Sequence, residues 1–79
     1  MGLLKVGSTG PDVRHVQVML NRLIPAPPLL VVDGIFGPKT RERVVQFQSK
    51  NGLDADGIVG PLTSKALVEA VLRAVILRV

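Results

Sequence analysis

The octapeptide Asp33-Gly34-Ile35-Phe36-Gly37-Pro38-Lys39-Thr40 returns as Asp56-Gly57-Ile58-Val59-Gly60-Pro61-Leu62-Thr63, with six of eight positions identical. Each copy carries one physical logic. Asp-Gly makes a tight turn, an aliphatic residue points to the core, Gly-Pro starts a helix, and threonine sits in its first turn. The Asp33 and Asp56 carboxylates are placed to accept amide protons. The Thr40 and Thr63 hydroxyls can bond first-turn backbone or reach back to the preceding loop. Turn chemistry alone accounts for these aspartates, glycines and threonines. The same rigidity lets two similar loops, brought side by side, wall a groove.

Helix periodicity fills the space around the repeats. Val13, Val16, Leu20 and Leu23 recur at helical spacing and predict a first helix from about Pro11 to Leu23, closed by Pro25, Pro27 and Pro28. Leu29 to Val32 reads as a short extended piece without a sheet of its own. Gly37-Pro38 predicts a second helix from about Pro38 to Lys50, with Val44, Phe47, Val45 and Gln48 inward and Asn51-Gly52 as its end. Gly60-Pro61 starts a third, lined on one side by Leu62, Ala66, Leu67, Ala70, Val71 and Ala74. The expected fold is all-α, a compact three-helix bundle with two repeated Asp-Gly turn and Gly-Pro helix-start loops. It forms a single domain from Met1 to Val79, with a core from about Leu4 to Ala74.

Seventy-nine residues suffice for one core and leave little spare stability for strained chemistry. Cysteine is absent, so disulfides, thiolate metal sites and a cysteine nucleophile are excluded. His15 is the one histidine, so conventional ligands cannot assemble a zinc site. Ser8, Ser49 and Ser64 lack a base partner, and Asp33 and Asp56 are consumed by turns. No catalytic residue, metal or cofactor is therefore expected. The net charge of +4 favours anionic partners. Nucleic acid is set aside, because a helix-turn-helix joins its helices through about 3 to 4 residues and the Asn51 to Gly60 connection is longer and doubly turned. Neither a signal peptide in Met1 to Gly10 nor a transmembrane stretch is recognisable.

Gly7-Ser8-Thr9-Gly10-Pro11-Asp12-Val13, Val16-Gln17, Leu20-Asn21, both Asp-Gly-Ile repeats and Phe47-Gln48 together resemble the peptidoglycan-binding-domain-like family, from about Leu4 to Val71. The resemblance implies a three-helix module attached to wall-lytic hydrolases, amidases, transpeptidases, phage endolysins or spore proteins. It also implies a place in the bacterial cell envelope, periplasm or cell wall. Two departures stand out: Ser64 occupies a position that is often aromatic, and the run Ile24-Pro25-Ala26-Pro27-Pro28 follows helix one. With no Trp or Tyr, recognition is expected through backbone, amide and basic groups, which suit a peptide stem better than sugar faces.

The expected partner is peptidoglycan or a muropeptide, with an adjacent catalytic domain or a protein partner alongside. The groove is assigned to Asp33, Gly34, Phe36, Asp56, Gly57 and Ile58 of the loops and to Arg41, Arg43 and Gln46 of helix two. Arg41 and Arg43 suit two-pronged pairing with a carboxylate, or form a solvated basic face. Phe36 has core character but sits in a loop that rims the groove. Gln46 is either a ligand contact or a solvent-facing amide, whereas Gln17 and Gln48 are expected to clamp the loops. Val68, Leu72, Val75, Ile76 and Val79 exceed what three helices need. Either a long third helix covers helix one, or this face docks on a neighbour, giving a monomer or a weak dimer. The alternative function is a protein-docking module on the same scaffold.

Overall fold

The computed structural model describes residues 2–76. Three helices follow one another: α1 (Pro11–Leu23), α2 (Pro38–Lys50) and α3 (Pro61–Ile76). Their starts fall at the three Gly-Pro steps, where proline gives up only an amide that would be unpaired in the first turn anyway. α1 packs against both other helices. Val13, Val16 and Leu20 of α1, Val44 and Phe47 of α2, and Leu67 of α3 supply the helical share of the core. None of the helices among the described residues is long and apolar enough to cross a membrane.

The rest of the core comes from extended chain. Leu4, Leu30, Phe36 and Val59 are buried with the helical residues. In each repeat the position pointing inward is the one after isoleucine, Phe36 or Val59, while Ile35 is 56% exposed. This bears out the core character of Phe36 and turns Ile35 outward, where an aliphatic residue after the turn was expected to point inward: the chain is extended there, so successive side chains alternate sides. Leu62 is also corrected. It stands in the first turn of α3, next to the inward Thr63, and is 74% exposed instead of lining the buried side.

Two isolated antiparallel bridges, Leu4 with Val59 and Thr9 with Ile35, tie the amino-terminal segment to both repeats. The α1 to α2 connector lacks such backbone pairing at Leu30, and Asn21 supplies it from a side chain. Its Nδ2 donates to the Leu30 carbonyl at 2.9 Å, and its Oδ1 accepts the Leu30 amide at 2.8 Å. The asparagine thereby acts as a one-residue strand partner and seats Leu30 in the core beside α1.

On α3, Thr63 and Leu67 are buried, and Ala66 and Ala70 pack against the core. Val68, Leu72, Val75 and Ile76 stay exposed, so they do not cover α1. Val79 of that predicted stripe lies outside the described residues.

Asn21→Ala leaves both backbone groups of Leu30 without their partner. It is expected to cost about 1–3 kcal/mol, which lowers the thermal midpoint by roughly 4–8 °C per kcal/mol in a domain of this size. Differential scanning calorimetry checks this, and an unchanged midpoint contradicts the assigned role.

Candidate functional site

Each repeat loop is closed by a glutamine from the preceding helix. Gln17 of α1 accepts the Gly34 amide on Oε1 at 3.0 Å. Its Nε2 donates to Asp33 Oδ1 at 3.1 Å, the Ile35 carbonyl at 3.0 Å and Thr40 Oγ1 at 3.2 Å. Gln48 of α2 makes the same set with the second repeat: the Gly57 amide at 3.0 Å, Asp56 Oδ1 at 3.1 Å, the Ile58 carbonyl at 3.0 Å and Thr63 Oγ1 at 3.0 Å. An amide nitrogen has only two hydrogens, so three acceptors share them. Both glutamines are 1% exposed, and no buried side-chain polar atom among the described residues lacks a partner. Gln17 and Gln48 are thus the clamps the sequence predicted, and the threonine hydroxyls point back into the loop they follow.

The aspartates belong to the same units. Asp33 Oδ1 accepts the Ile35 amide and Asp56 Oδ1 accepts the Ile58 amide, each at 2.9 Å. These backbone bonds, followed by the glutamine bonds and aided by Arg14 or Arg41, hold both carboxyls below the usual carboxylate range. Their side chains remain exposed while satisfying the turn from outside.

Gly34 and Gly57 have φ of +76° and +74°, where a Cβ is strained. Space is also short. A Cβ on Gly57 would stand 2.7 Å from Arg41 Cγ, and one on Gly34 would stand 3.3 Å from Arg14 Cγ. Each turn therefore has an arginine stem laid against its glycine. Arg14 is absent from the sequence-derived site. The signal for it was its place one helical turn before the clamp Gln17, a position that brings it over the same loop.

The single groove expected between the loops is divided. The amino-terminal segment pairs with both repeats: Leu4 and Val59 exchange backbone bonds at 3.0 and 2.8 Å, and the Gly7 amide donates to the Phe36 carbonyl at 3.0 Å. The Phe36 amide donates to the Ser8 carbonyl at 2.9 Å, and the Gly10 amide to the Gly34 carbonyl at 2.9 Å. Phe36 is 1% exposed and belongs to the core, so it rims nothing. Gly34 and Gly57 are buried beneath their arginines and the clamp amides. Of the groove residues, Arg43 reaches the connector, and Gln46 accepts a hydrogen bond from that arginine. Arg43 donates to the Ala26 carbonyl at 2.9 Å, the Pro28 carbonyl at 3.1 Å and Gln46 Oε1 at 3.1 Å. That leaves Asp33, Asp56, Ile58 and Arg41 at the loops.

Among the concavities of the surface, one is lined by each repeat. A cavity of about 350 Å³ is lined by Leu30, Asp33, Ile35, Lys39 and Thr40, among others. Another of about 300 Å³ is lined by Leu53, Asp56, Ile58, Leu62 and Thr63, again among others. Both are open and lined mainly by apolar surface, with the buried clamp glutamine and threonine of the same repeat among their lining residues.

Three short helices carrying two clamped loops form a small surface-recognition fold. Residues 9–67 match the family described as "Putative peptidoglycan binding domain", and the chain belongs to that family. It is 45% identical over 62 residues to a zinc D-Ala-D-Ala carboxypeptidase of Streptomyces albus G, an alignment covering 78% of this chain and 24% of that protein. The chain thus spans about a quarter of the length of this curated relative. The crystal structure of the SleB N-terminal domain is similar with a TM-score of 0.78 and 35% identity, covering 86% of this chain and 90% of that one. A fused zinc-dependent amidase/peptidase/peptidoglycan-binding protein from Clostridium acetobutylicum matches with a TM-score of 0.75 and 37% identity, over 82% of this chain and 28% of that one. The chain is a peptidoglycan-binding module, of a kind found fused to catalytic domains.

Gln48→Leu keeps the volume but strips the Gly57 amide and Thr63 hydroxyl of their buried partner. We expect a loss of at least about 2 kcal/mol, measurable by urea denaturation, and a midpoint equal to wild type contradicts the clamp. The aspartates add a pH dependence. Their folded pKa values lie below 3.8, so their contribution is fully present above that pH and is lost as pH falls through the folded values. A double Asp33→Asn, Asp56→Asn variant is expected to flatten the fall in thermal midpoint below pH 3.8. A slope identical to wild type sinks this attribution.

Proposed function

We propose that this chain is the wall-anchoring part of a larger bacterial envelope protein, folding as one unit from about Leu4 to Ala74. It binds the peptide stems of peptidoglycan and leaves bond-breaking to another polypeptide segment. The observation that carries the reading is the pair of clamped loops: each presents an exposed aspartate beside an isoleucine at the edge of a cavity, on backbone that has little freedom to lose on binding. The first cavity adds the ammonium of Lys39 at its rim and the exposed side chains of Val31 and Ile35, a combination that suits an apolar peptide residue ending in a carboxylate. Arg41, laid over Gly57, adds positive potential between the repeats. Arg43, with Gln46 accepting a bond from it, holds the connector's shape and contributes to binding through that connector.

A second contact belongs to α3. Val68, Leu72, Val75 and Ile76 form an exposed apolar stripe on the side away from the core, the place where an attached domain, another protein or a second copy would seat. This is the feature that favours the protein-docking reading of the same scaffold.

Sedimentation with insoluble sacculi tests the wall-binding reading. The protein is expected in the pellet at low and physiological salt, since contacts made inside a cavity are screened less than charge attraction across open solvent. Ile35→Lys, at an exposed position, is expected to weaken retention about tenfold, equivalent to about 1.4 kcal/mol, with the thermal midpoint unchanged. Protein that stays in the supernatant under both conditions refutes the reading.

A further inference from the structure

We propose that the second repeat carries its own peptide-binding pocket, with a charge preference opposite to that of the first, so that one chain holds two different points on the wall peptide. The inference rests on the wall-binding reading above and deepens it. Its basis is a position-by-position match between the two cavities. Leu30, Asp33, Ile35, Pro38 and Thr40 line the first, and Leu53, Asp56, Ile58, Pro61 and Thr63 line the second at a constant sequence offset. Gln17 and Gln48 reach the two cavities from different helices and make the same bonds there. Whatever shape the first pocket accepts, the second therefore offers in nearly the same frame, at about 300 Å³ against about 350 Å³.

Two equivalent positions break the symmetry, and both change charge. Lys39 of the first pocket is replaced by Leu62 in the second, and Val31 of the first by Asp54 in the second. The first pocket thus has an ammonium at its rim. The second has no basic residue among the described residues of its lining and gains a carboxylate, together with an apolar wall from Leu3. Arg14 and Arg41 lie against Gly34 and Gly57 in the same way, so they do not alter the difference between the two pockets. Asp33 and Asp56 do not disturb this contrast, because each spends the same oxygen on its own turn. Lys39 and Asp54 are exposed, and neither takes part in an ion pair among the described residues. The first pocket accordingly favours the carboxylate end of a short apolar peptide. The second favours a segment with an apolar stem and a free ammonium, as on the side chain of an uncrosslinked diamino acid. Engaging both along one polymer raises retention by effective concentration without tight binding at either pocket.

The test is amide chemical-shift mapping of the whole chain with a soluble muropeptide carrying a free side-chain amine, and with the same muropeptide N-acetylated at that amine. The free form is expected to shift Val31, Ile35 and Lys39 in the first pocket and Asp54, Ile58 and Leu62 in the second. Acetylation of the ligand, or Asp54→Val in the protein, is expected to weaken the second set about tenfold while leaving the first set in place. Lys39→Leu is expected to do the reverse. Saturation of the first set with no movement in the second overturns the second pocket while the wall-binding reading stands. A second set that is indifferent to both acetylation and Asp54→Val overturns its charge preference. If neither set moves, both this proposal and the wall-peptide reading fail.

Discussion

A buried amide holds each repeat loop, and the rest of the structure is arranged around the two of them. Gln17 and Gln48 each occupy a helix position among aliphatic residues of the core, where an unpaired amide would be costly. The loop meets that need by turning its glycine amide, aspartate oxygen, isoleucine carbonyl and threonine hydroxyl toward one side chain. The dependence is mutual: the glutamine is tolerated in the core because the loop folds over it, and the loop is fixed because the glutamine is there. The positive φ of Gly34 and Gly57 follows, since that turn directs the amide at the clamp.

Fixing the loops from within leaves their outer edges available. Aspartate and the rim residues face solvent, with Ile35 exposed and Ile58 partly so, while glycine and the residue after isoleucine, Phe36 or Val59, face the core. Outward-facing and core-facing side chains thereby alternate along the same short stretch. This division lets the two copies diverge in charge at Lys39 and Leu62, or at Val31 and Asp54, without disturbing the clamp that supports them. The amino-terminal segment between Leu4 and Gly10 bonds to both loops and holds them in one frame, at the expense of a continuous cleft between them.

Arginine placement shows how similar residues on one helix take different work. Arg41 lies against Gly57 of the second loop, whereas Arg43, farther round α2, holds the carbonyls of Ala26 and Pro28. No backbone amide among the described residues donates to the Ala26 or Pro28 carbonyl, and a guanidinium with several fixed donors is suited to both. The proline-rich run that departs from the family pattern is thus held by a residue that sequence reasoning had assigned to the ligand.

Local chemistry made the helices, the turns and the clamps legible in the sequence. Gly-Pro steps mark helix starts, Asp-Gly marks turns, and a glutamine within an apolar stripe must find a partner close by; each signal acts within a few residues or along one helix face. Tertiary structure alone decided which side of the loops stayed open. That outcome depended on Leu4 pairing with Val59, Thr9 with Ile35, and Arg14 and Arg41 lying over glycines distant in sequence. Such contacts join segments whose spacing along the chain carries no periodic mark. The sequence therefore determined two rigid turn-to-helix units, and packing of the amino-terminal segment between them determined that they present two pockets instead of one groove.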